Sequence, residues 1–134
     1  MWSDVLTDEV ARRVPDRLRP RVLTAIVAAH TAIFATMAAA IVVVAWDGLR
    51  QRPGRRTLVA AAAVIGESAV YVSNGQVCPL TPLATELGDR REGVADIFLP
   101  SWASRRIPLV GGSALLTGLG LNALAIARRA QERV

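Results

Sequence analysis

At 134 residues the chain is sized for one domain and is too short for a catalytic module with a separate regulatory one. Hydrophobic residues make up 52% and aromatics only 4%, with a mean hydropathy of +0.36, so the apolar mass is Ala, Val, Leu and Ile, as in helical membrane proteins rather than soluble cores. The charge of +5 and isoelectric point near 11.2 would suit nucleic acid, but the Arg residues cluster at the ends of apolar runs and no aromatic-basic interleaving accompanies them, so nucleic acid is set aside as a partner.

In chain order, residues 1–20 form an N-terminal segment in which Trp2 to Val14 reads as an amphipathic helix. Ser3 is its N-cap, Asp4 lies in the first turn, and Val5, Leu6, Val10 and Val14 recur at helical spacing. The segment lacks the basic-then-apolar order of a signal peptide and is expected to lie on the membrane surface. Pro15 and Pro20 precede the first span, 22–46, whose length covers a hydrocarbon core of roughly 30 Å with some tilt, and Trp46 fits an aromatic belt at its end. The Arg-rich loop from Asp47 to Arg56, with its Pro53-Gly54 turn, reverses the chain into a second span, 57–77, stopped by Pro79 and Pro82. A connection, 78–108, follows. Its apolar piece Val94 to Trp102 is too short to cross and reads as interfacial or re-entrant. Pro108 opens the third span, 109–127, which Arg128 and Arg129 close. The expected fold is therefore all-α: an integral membrane protein of three transmembrane helices, an amphipathic N-terminal helix and an interfacial or re-entrant segment between spans two and three.

The loop 47–56 and the C-terminal tail are short, positive and on one side of a three-span protein. The positive-inside rule puts both in the cytoplasm and the N-terminus outside, in a cell (inner) membrane.

Glu67 in the second span and His30 in the first are the strongest functional signals. A carboxyl and an imidazole in hydrocarbon each cost several kcal/mol unless partnered or neutral. At about 1.5 Å rise per residue, His30 lies about 12 Å and Glu67 about 15 Å from the same membrane face, with Tyr71 one turn nearer it. Glu67, Tyr71, Asn74 and Cys78 follow i, i+4, i+7, i+11 spacing and form a polar stripe on the second span. Asp96 in the connection and Asn122 in the third span extend the polar set, and Ala114, Gly118 and Asn122 make a small-xxx-small stripe for close helix approach. Asn74 and Asn122 have interhelical hydrogen bonding as their ordinary role. Cys78, the one cysteine, has no second thiol or evident base beside it and reads as a small buried hydrophobe. No metal or other cofactor is expected, because Cys78 would lie about 16 Å along the helix from Glu67.

The sequence Cys78-Pro79-Leu80-Thr81-Pro82-Leu83 resembles that of a family of small bacterial membrane proteins known as domain of unknown function 2784. His30, Glu67, Gly93 with Phe98-Leu99-Pro100, and Asn122 fall in the order of that family's elements. Ala84 stands where the family has Glu and Ile97 where it has a second His, so a metal or proton-relay role does not carry over. The resemblance implies a membrane protein of three or four helices and supplies no activity.

Two functions fit. One is a binding or assembly protein whose polar site around Glu67 and His30 meets a lipidic ligand, a membrane partner or a second copy. The other is a membrane-embedded enzyme of cyclase or isomerase type, with Glu67 as general acid or base on a lipidic or isoprenoid substrate and His30 or Tyr71 orienting it. Low aromatic content counts against the second.

Overall fold

The computed structural model describes residues 2–88 and 101–132. These residues are helical without strands: α1 (Trp2–Arg13), a single 3-10 turn (Asp16–Leu18), α2 (Arg19–Leu49), α3 (Arg55–Ser73), α4 (Leu80–Glu86) and α5 (Ser101–Gln131). Three of the helices are long and apolar enough to cross a membrane, over Asp16–Leu49, Arg55–Ser73 and Leu109–Gln131, and the second is the least apolar of them. Val94 to Pro100, most of the short apolar piece, together with Asp96, Gly93 and Phe98-Leu99-Pro100, lies outside the described residues.

Helix ends depart from expectation in two places. The second apolar helix stops at Ser73 instead of continuing to Val77. Gly75 adopts φ 72°, and the amides of Gly75 and Gln76 turn back onto the carbonyls of Val72 and Tyr71, the hydrogen-bond pattern of a Schellman cap. The same pattern ends α2, where Gln51 at φ 53° takes the left-handed position and the amides of Gln51 and Arg52 return to Gly48 and Asp47. The last helix, for its part, begins at Ser101 and runs through Pro108. Proline is tolerated inside apolar helices where neighbouring groups take over the lost backbone bond.

Two compact units separate. The first draws on Met1–Phe34 and Glu67–Ser101, the second on Ala35–Gly66 and Trp102–Val134. In the first, α1 packs on α4 and on the start of α2 around Ala11, Ile26, Ala84 and Leu87, with Val22, Leu23, Val27 and Leu80 against them. Pro79 and Pro82 fall at the start of α4, where a missing N–H costs nothing, so they open a helix there rather than only ending one. Helix α1 faces inward with Ser3, Thr7 and Ala11, and leaves Trp2, Val5, Leu6 and Val10 outside, Val5 at 77% exposure. Its apolar face is thus unburied while its small polar face is packed, the reverse of a helix on a soluble core.

In the second unit α2 and α5 meet backbone to backbone. A Cβ at Gly118 would lie 2.9 Å from Ala45 Cα and 3.0 Å from the Val44 carbonyl carbon, and one at Gly48 would lie 2.8 Å from the Gly118 carbonyl oxygen. The small-residue stripe on the third apolar helix is therefore a seam of interlocked glycines. Asn122 lies in it, donating through Nδ2 to the carbonyls of Val44 (2.9 Å) and Gly118 (2.8 Å). Asn122 therefore links the backbones of both helices at the point where they approach most closely.

Candidate functional site

The site in the first unit is assembled by the turn that ends α3. Asn74, fully buried, accepts from the Ser3 amide (3.2 Å) and donates to the Val77 carbonyl (2.9 Å). It satisfies one of the free amides at the start of α1 and fixes the loop that leads out of α3. Both partners are backbone groups, and Asn74 lies just past the end of α3 rather than within it.

That loop folds Cys78 back onto α2, where its Sγ lies 3.4 Å from His30 Nδ1. The polar stripe consequently ends with Tyr71, and Cys78 is not the next step along it. This overturns the expectation that the cysteine has no base beside it. Both side chains are half-buried. With the proton of the neutral imidazole on Nε2, Nδ1 is a lone-pair acceptor and the thiol is the donor toward it. Glu67 is half-buried on α3, and its carboxylate makes no hydrogen bond among the described residues. Tyr71 is exposed at 40%, and its hydroxyl likewise has no hydrogen-bond partner among them. The structure thus brings Cys78 and His30 together, leaves Glu67 without a contact to either among the described hydrogen bonds, and ties Asn74 to the backbone of α1 and of its own loop. Asn122 belongs to the second unit and its seam, and Asp96 is outside the described residues.

No group of three or more His, Cys, Asp or Glu side chains among the described residues is arranged to hold a metal ion. What the pair can do chemically is proton exchange between a thiol and an imidazole, which is how a sulfur nucleophile is activated.

A second polar cluster, not foreseen from the sequence, lies in the second unit. Asp47 is fully buried at the end of α2 and accepts from the Thr57 hydroxyl (2.7 Å) and from Arg56, whose Nε is 3.0 Å away. Thr57 Oγ1 in turn accepts from the Gly54 amide (3.0 Å), which closes the turn between α2 and α3. The Arg56 side chain is 69% exposed, so solvent screens its ion pair, and the buried hydroxyl and amide partners hold the turn. An acid in the last turn of a helix opposes the helix dipole, and this was the signal that Asp47 needed a partner. Arg50 stacks over Trp46 at 4.5 Å, while Arg128 and Arg129 donate to the side chain (3.3 Å) and backbone carbonyl (2.8 Å) of Gln51.

The chain matches no family model, no curated protein and no solved structure. The likeness carried by the Cys78 to Leu83 turn therefore stands on those residues alone.

Proposed function

We propose that the protein is an integral membrane protein with a polar site at one membrane interface, built on His30, Cys78 and Glu67, that binds a lipidic ligand. The contact between Cys78 Sγ and His30 Nδ1 carries this reading, because a dedicated loop, pinned by a buried asparagine, brings the two together from distant parts of the chain.

Membrane insertion is supported by the placement of apolar side chains. Leu58, Val59, Val42 and Leu116 are each more than 60% exposed, whereas Asp47, Thr57, Asn74 and Asn122 are buried. Lipid as solvent accounts for that inversion. The Arg128 and Arg129 contacts to Gln51 gather the cations of the loop and of the C-terminal helix end, which favours that end as cytoplasmic and the N-terminus as external.

The depth of the site follows from what covers α2. Helices α1 and α4 pack on Val22 to Val27, so the part of α2 left to lipid begins near His30. From His30 to Leu49 the helix measures about 30 Å, a full hydrocarbon thickness, and the 19 residues of α3 measure about 28 Å. On this count the imidazole sits at the boundary of the core rather than about 12 Å within it. The outward apolar face of α1 would then rest in the same interface.

The enzymatic reading, with Glu67 as acid or base on a lipidic or isoprenoid substrate, draws on the half-buried carboxyl within a long apolar helix. One comparison tests both: native mass spectrometry of wild type and Glu67→Gln released gently from their own membrane. A co-purified lipid retained by wild type and lost from the variant, with helicity unchanged, is the expected result. A bare homo-oligomer or a protein complex from both would reject the ligand site in favour of assembly. Full cellular function of Glu67→Gln would reject the acid-base reading.

A further inference from the structure

We infer that Cys78 is a nucleophile that takes a long-chain acyl group from a thioester, with His30 as its base. The inference rests on the proposed lipidic ligand site and names its chemistry. One contact and the proposed depth carry it. The sole thiol of the chain faces a ring nitrogen at 3.4 Å, within reach for proton transfer. And at the depth proposed above the pair stands at the end of the lipid-length part of α2, where an acyl chain can lie in hydrocarbon while the polar carrier of its thioester stays in water.

The step is balanced without any further reactant. The thiol proton passes to His30 Nδ1 as sulfur attacks the thioester carbonyl carbon. The tetrahedral intermediate collapses, the bond from that carbon to the carrier sulfur breaks, and the departing thiolate takes the proton back from His30. One thioester and one thiol become another thioester and another thiol, with no change of oxidation state. Asn74 is a positioning residue here, since it holds the loop and does not touch the reacting atoms.

The test uses the full chain in lipid nanodiscs with palmitoyl-CoA, followed by intact mass and hydroxylamine treatment. Wild type is expected to gain one hydroxylamine-sensitive palmitoyl group, and Cys78→Ser none. His30→Ala should be acylated about 100-fold more slowly and be partly restored by added imidazole, which a merely structural role would not allow. His30→Gln, which keeps the side-chain volume, should be slow as well, and monodispersity with unchanged helicity certifies its folding. Equal rates in wild type and His30→Gln would mean spontaneous acylation of an accessible thiol and would overturn the inference. Binding of an unreactive thioether analogue of palmitoyl-CoA separates the two levels. If the analogue binds and wild type is not acylated, the nucleophile is rejected and the ligand site stands, whereas absence of both rejects the inference together with the site.

Discussion

The two units handle polar side chains in opposite ways. In the second, Asp47 holds Thr57 and Arg56 across a turn, and Asn122 is tied to the backbone of two helices whose glycines interlock. In the first, Asn74 ties its loop to the start of α1. His30 is turned toward a thiol, and Glu67 has no hydrogen bond among the described residues. Polar groups in an apolar setting are tolerated either because they are locked into the fold or because something else uses them. The second unit shows the first condition, and the first unit points to the second.

The largest expected effect tests the locked side of this contrast. Gly118→Val places carbon against backbone that cannot move aside, and should cost about 3 kcal/mol in a detergent or denaturant unfolding titration. Gly66→Ala, where an added Cβ meets nothing within 4 Å, should be neutral or gain about 0.5 kcal/mol. If both tolerate substitution equally, the seam is not a backbone contact. Next, Asp47→Asn should lower the melting temperature clearly, since one face of the new amide confronts Arg56. Glu67→Leu in the other unit should leave it unchanged or raised. Matching losses from the two acids would erase the distinction between a structural and a functional carboxylate. Smaller again, Asn74→Ala should cost about 1 kcal/mol and speed amide hydrogen exchange in the first turn of α1, with no change in α5. The smallest effect is a gain: Gln76→Gly relieves a left-handed residue at φ 62° and should add about 0.5 kcal/mol after the entropy of the unfolded chain is counted.

Much of the helical plan was legible because apolar run length is a property of composition. The three long apolar helices, the N-terminal helix and the close-approach stripe through Gly118 could all be read from spacing. The end of α3 was missed although Asn74-Gly75 signals a helix cap, because a polar i, i+4, i+7, i+11 pattern was allowed to outweigh it. That one error hid the site: extending the helix to Val77 carries Cys78 away from His30, whereas the cap turns it back. Helix α5 begins earlier than expected, at Ser101, because proline is a weak helix boundary and Pro108 falls inside the helix. The face of α1 was legible as amphipathic from Val5, Leu6 and Val10, which the structure leaves exposed, but spacing alone did not single out Ser3, Thr7 and Ala11 as the packed side.

The inverted face of α1 also bears on evolutionary drift. The space around Ser3, Thr7 and Ala11 admits only small side chains, whereas Val5, Leu6 and Val10 need only be greasy. Among homologues, the large aliphatics of this helix should interchange freely, and the unassuming serine, threonine and alanine should resist change. A search weighted toward constant big hydrophobes would score the wrong side of the helix.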